Sequence, residues 1–193
     1  MTEAEESFYT EERWHNWLAR VEEEELDPEN EDSARLLLNL QDDAAIAVAK
    51  VISSYEEGDL DREGALEELE RIQDIVLSEP DFDDEEKLLL IDGVQTSLVC
   101  VFYAANEYVA GGPVEEGAVE EFVDAAAAAE AEEDLDAALG YLVQAGTLVI
   151  DGAELDMSVV DDIEYGLVSE WINGLDSLQS AMSDPEVVEE DDE

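Results

Sequence analysis

Apolar residues recur along this chain at spacings of three and four, and runs of strict alternation are missing. The pattern therefore predicts helices throughout and no strands. Seven helices follow from it. The first spans about 10–25, with Thr10 as its N-cap and Trp14, Trp17, Leu18 and Val21 on one face. "LDPENED" breaks the chain, and a second helix spans about 33–58. Its stripe is Leu36, Leu40, Ala44, Ala47, Val51 and Tyr55, and Gly58 stops it. The third covers about 61–77, ahead of Pro80, and the fourth about 83–110, ahead of "GGP". The fifth opens near Pro113, a residue suited to a first turn, and continues to about 132. The sixth covers about 135–150 and the seventh about 158–182, with Leu167, Trp171, Leu175 and Leu178 aligned. The predicted organisation is a single helical domain over 10–182, between disordered acidic ends at 1–9 and 183–193.

The helices repeat. "YEEGDLDREGALEEL" (55–69) aligns without a gap to "YVAGGPVEEGAVEEF" (108–122), with identities at Tyr55/Tyr108, Gly58/Gly111, Gly64/Gly117, Ala65/Ala118, Glu67/Glu120 and Glu68/Glu121. Upstream, "LLL" at 36–38 meets "LLI" at 89–91 in the same register. A fainter third copy follows Gly152, with Ser158 to Ile163 falling where "GALEEL" fell. Each unit is a long helix, a glycine stop, a short acidic turn and a returning helix. Three hairpins then account for helices two to seven, either stacked as a short solenoid of the tetratricopeptide kind or closed into a bundle. The first helix lies outside the repeat and reads as the cap of the array.

Composition changes the picture of habitat. There are 57 acidic residues against 7 Lys and Arg, a formal charge of −50. Charge alone would place the chain among disordered proteins, but 46% hydrophobic content in helical register supports a folded core. Such a charge repels itself in dilute buffer, whereas at molar salt the Debye length is about 3 Å and the repulsion is screened. The acidity therefore reads as solvation in brine, that of a cytoplasmic protein of a salt-loving organism that folds only in concentrated salt. Cys100, within "LVCVFYAA", has no partner for an internal disulfide and reads as core. "MTEAEESFY" has no apolar region of the signal-peptide kind. The most apolar stretch, 94–110, is interrupted by Gln95, Asn106 and Glu107 and is expected to fall short of a membrane span. No Lys or Arg follows Lys87, so a basic stripe for nucleic acid is not expected.

The sharpest chemical pattern is "DLDREGALEELE" (59–70), which resembles a calcium-binding helix–loop–helix of the EF-hand type. Asp59, Asp61, Glu63 and Glu70 would be the metal ligands, with Gly64 at the sixth loop position. Against it, Glu63 is long for its place, and the turns starting at Gly112 and Ala153 lose ligands at two positions. The alternative for the same residues is a helix start capped by Asp61, with Glu63 and Glu67 near the positive end of the dipole. Glu12 and His15 form an E-x-x-H, but the paired motif of di-iron bundles needs a second histidine and the chain has one. That histidine has no recognisable Ser or Cys partner, and the "GG" at 111–112 follows a helix, unlike a phosphate-binding loop. Lys50, inside "AIAVAKVI", either snorkels to the surface or pairs with an acid. The run 125–129 of five alanines suits tight helix packing or a shallow groove for a partner helix.

"EERWHNWLARV" followed by "EDSARLLLNLQDDAAIAVAKVI" resembles an uncharacterised archaeal family that is common in haloarchaea, over about 8–182. The resemblance implies the habitat above and no activity, ligand or catalytic residue. The function expected is a non-enzymatic cytoplasmic adaptor or scaffold for a protein partner, with Trp14 and Trp17 as the partner-binding candidates. The alternatives are a calcium-responsive regulator using the four carboxylates, and an enzyme with a site between helices near Lys50 or His15.

Overall fold

The computed structural model describes residues 8–25 and 29–183. Among the described residues there are seven α-helices and no strand. They are α1 (Glu11–Glu23), α2 (Glu31–Glu57), α3 (Arg62–Val76), α4 (Glu85–Gly111), α5 (Val119–Ala131), α6 (Leu135–Ile150) and α7 (Leu167–Ser183). A short 3-10 helix, Met157–Asp162, precedes α7. The acid-rich sequence supplies the caps. Thr10, Asn30, Asp61, Asp84 and Asp134 each accept a backbone N–H of the first turn they precede. Gly58 closes α2 at φ 86, a left-handed conformation that glycine adopts without cost.

Two boundaries depart from expectation. α5 begins at Val119 instead of near Pro113. Gly117 takes φ 116, which no helix contains, and the Glu121 carboxylate then accepts the Ala118 N–H at 3.0 Å to start the helix. Gly64 and Gly117, aligned in the repeat, therefore do different work, since Gly64 lies in the first turn of α3. α7 begins at Leu167 instead of Ser158. Its start is set from another element: the Glu130 carboxylate, at the end of α5, accepts the Val168 N–H at 2.9 Å. Ser169 Oγ accepts the Gly166 N–H, also at 2.9 Å. The third repeat copy thus falls in the 3-10 turn and its flanks, and only two hairpins keep the repeated form.

The hairpins close into a bundle. In a solenoid the third hairpin would touch only the second. Here α7 packs against α2 of the first hairpin as well as α4, and α6 packs against α4, α5 and α7. Small residues allow these crossings. A Cβ on Gly174 would lie 2.1 Å from the Ser97 carbonyl oxygen, and one on Gly146 would lie 2.5 Å from the Ala104 Cβ. α2 is the central element, buried almost continuously from Leu40 to Ile52. One apolar core runs through all seven α-helices and includes Tyr9. Phe8 and Tyr9, expected in a disordered segment, therefore pack on the fold, whereas the rest of that segment and residues 184–193 lie outside the described residues. α4 carries a window of mean hydropathy 1.7, long and apolar enough to cross a membrane, and half of that window is buried inside the bundle. A core helix meets the same test of length and composition.

Candidate functional site

The tryptophan stripe is built into the body of the protein. Trp14 is fully buried with Leu18 and Val21, and it offers no surface to a partner. Trp17 is half-buried, and its indole N–H donates to Asp43 Oδ2 at 2.7 Å. Arg13 Nε donates to the same oxygen at 2.8 Å, and its Nη2 donates to the other. Asp43, 2% exposed in the middle of α2, is thus the anchor of α1. The phenol of Tyr9 is held far above its ordinary range, first by burial and then by the Asp43 charge. Three other scarce cations lie at the same end of the molecule. Arg71 donates to the Tyr9 carbonyl at 2.7 Å and pairs with Glu68 at 2.8 Å, Arg20 lies 5.0 Å from the Trp17 ring centroid, and Lys87 donates to the Glu22 carbonyl. His15 is exposed beside this lock and takes no part in it.

A second polar seam joins α2 to α7. Gln41 Nε2 donates to Ser177 Oγ at 2.9 Å and to the Asn173 carbonyl at 3.2 Å. Next to it, burial raises the Asp42 carboxyl, with the Ser177 hydroxyl acting in the opposite sense. Burial raises Asp176 too, and the Asp42 charge adds to it. These groups join helices and line no cavity. Cys100 is fully buried, and burial pushes its thiol well above the ordinary range, so it is no nucleophile in this fold. Lys50 is exposed at the surface of α2.

The stretch 59–70 contains the helix start that its capping reading expects. α3 already begins at Arg62, Asp61 caps it through the Gly64 N–H at 2.7 Å, and Glu63 and Glu70 ride on the helix. Among the described residues no group of three or more His, Cys, Asp or Glu is placed to hold a metal ion. Asp59 and Asp61 precede the helix, whereas Glu63 and Glu70 lie about two turns apart along it, a rise of about 10 Å.

The sequence pattern did not single out the surface feature that the fold creates. A cleft of about 590 Å³ lies between α3, α4 and α6. Tyr103, Asn106, Glu107 and Ala110 line it from α4 at i, i+3, i+4 and i+7. Asp136, Leu139, Gly140, Val143 and Gln144 line it from α6 in the same rhythm, and Leu66 contributes from α3. Its size falls within the usual span of binding pockets, about 300–1,000 Å³. Tyr103 is 44% exposed, and Leu135, one turn before Leu139, is 41% exposed. Ala110 and Gly140 keep the cleft open, since a Cβ on Gly140 would meet nothing within 4 Å. Asn106 is fixed by its own hydrogen bond to the Phe102 carbonyl at 2.8 Å. Both charged lining groups, Glu107 and Asp136, are acidic. A smaller cleft of about 430 Å³ by Thr10 and Arg71 has its guanidinium already committed to Tyr9 and Glu68. A tyrosine, an amide and a glutamate in helical register within an otherwise apolar run, with a glycine inside a second apolar helix, were the available signals. Neither shows from sequence that the two stripes meet.

These features define a class: an all-helical bundle with its N-terminal helix locked on by scarce arginines and an open, acid-edged cleft on one side. The chain belongs to a family described as an uncharacterized protein conserved in archaea, DUF2150, whose model matches residues 7–191. The archaeal resemblance of the two N-terminal runs agrees with that membership. No curated protein and no solved structure matches the chain.

Proposed function

We propose that the protein is a non-enzymatic adaptor of the archaeal cytoplasm, adapted to a salt-rich interior, and that it docks a protein partner in the cleft between α4 and α6. The observation that carries this reading is the exposed Tyr103 beside an open, partly apolar trough floored by Ala110 and Gly140. Concave sites lined by apolar side chains with a few polar groups are the usual places for a bound group, and aromatic side chains dominate binding energy at protein interfaces. The lining residues hold no pairing of nucleophile and base that would favour an enzyme. This reading puts the partner surface at the cleft and not at the tryptophans of α1, of which Trp14 is buried and Trp17 half-buried. The test is affinity purification from a native host at its own salt, with wild type and Tyr103→Ala side by side. A protein retained by wild type and lost by the variant supports the reading; identical captured sets overturn it.

A further inference from the structure

We infer that the occupant of the α4–α6 cleft is an amphipathic helix of the partner whose apolar stripe is flanked by Lys or Arg, an inference that rests on the adaptor reading. The geometry of the trough is helical. Its α6 wall runs from Asp136 to Gln144, about 12 Å or two turns at 1.5 Å per residue. Two helix stripes with a gap between them present ridges into which a third helix can seat anchors at i, i+3 or i+4, and i+7. The gap above Ala110 and Gly140 has room for a large anchor, and Tyr103 stands beside it as a stacking surface.

Charge selects among the possible occupants. The edges carry Glu107 and Asp136, and no Lys or Arg follows Lys87 in the chain. The one cation within about a turn of a lining residue along the chain is Arg62, four before Leu66, and it stands between Asp61 and Glu63. The chain's own terminal sequence, "DPEVVEEDDE", holds no base, and a second copy brings another −50. Either would bring acid against acid. A helix with Lys or Arg on its flanks instead forms direct pairs with Glu107 and Asp136. Molar salt screens steering beyond about 3 Å, so what remains is contact pairing, worth a modest factor.

Two synthetic helical peptides of about five turns, sharing one Leu and Tyr stripe and differing only in Lys or Glu flanks, test the inference by fluorescence anisotropy with the full chain in molar KCl. The Lys peptide should bind about fivefold tighter. Glu107→Lys combined with Asp136→Lys should reverse that preference. Gly140→Leu, whose Cβ meets nothing within 4 Å and whose side chain would fill the trough, should abolish binding while leaving the melting temperature at or above that of wild type. Equal affinity of the two peptides overturns the cationic partner, and Lys-peptide binding untouched by Gly140→Leu reduces it to attraction by a polyanion. A benzophenone cross-linker in place of Tyr103, activated in a native lysate, separates this inference from the docking reading. Cross-links to Lys- or Arg-flanked helical segments support both. Cross-links to a partner segment without cations keep docking and overturn the inference, whereas links to residues 184–193, to a second copy, or to nothing above background overturn both.

Discussion

Asp43 is the residue on which the N-terminal helix depends. It is almost fully enclosed, while its partner Arg13 is 48% exposed, so the two ends of the pair are unequal. Removing the arginine strands a buried carboxylate, a loss of the kind that costs about 3–5 kcal/mol. Removing the carboxylate leaves an arginine that water can reach. Arg13→Ala is therefore expected to destabilise more than Asp43→Asn, which keeps an acceptor for the Trp17 indole; guanidinium melts of both variants compare them, and equal losses would show that the charge pair is not the anchor. The Asp42 and Asp176 carboxyls behave in the opposite way. Burial raises both, so the fold holds their protons more tightly than the unfolded chain does. Their favourable contribution is complete below the ordinary value of 3.8 and is lost as pH rises through the raised folded values. Asp42→Asn and Asp176→Asn should each raise the melting temperature at neutral pH, with the gain shrinking as pH falls towards 3.8. A gain that stays constant across that range would count against the mechanism.

At the scale of helices, glycines separate packing from propensity. Gly140 and Gly174 both sit inside helices, and helix propensity alone favours alanine at each by about 0.5–1 kcal/mol. The tertiary surroundings split them. Gly140 faces open space, so Gly140→Ala should stabilise by about that amount. At Gly174 the new methyl would meet the Ser97 carbonyl of α4, backbone that cannot swing aside, and Gly174→Ala should destabilise by about 1–3 kcal/mol or more. Thermal melts of the two variants in molar salt check the opposite signs. The same division explains which boundaries were legible. α1, α2, α3, α4 and α6 carry their own caps in sequence and were located within a few residues. α7 was misplaced because its N-terminus is capped by Glu130, a residue 38 positions away in the chain. α5 was misplaced because Pro113 suits a first turn, whereas the conformation of Gly117 delays the helix to Val119.

For the whole molecule, the dominant quantity is the charge of −50 at pH 7. Among the described residues the seven cations are few; three of them tie the N-terminal segment to the body, and a fourth, Arg20, stacks on Trp17 within α1. If the salt-adapted reading proposed above holds, the repulsion of the remaining acids is countered by screening more than by pairing. On the salt-adapted reading proposed above, dialysis from molar KCl to about 0.1 M salt, where the Debye length is about 10 Å, should lower both helicity and melting temperature. Circular dichroism that stays unchanged would remove the salt requirement.

By itself the sequence determined the class of fold, most helix positions, the acidic surface and the packing stripe of α1, because helical periodicity, caps and charge are local properties of the chain. Only the tertiary structure decided that the hairpins close instead of stacking, since that depends on how near α7 can come to α2 and α4 through Gly174 and its neighbours. It also decided that Asp43 is an anchor, that the carboxylates from Asp59 to Glu70 dress a helix start, and that stripes on α4 and α6 meet as a cleft. Each of these joins residues far apart in the chain, and a helical pattern says which face is apolar without saying what that face will meet.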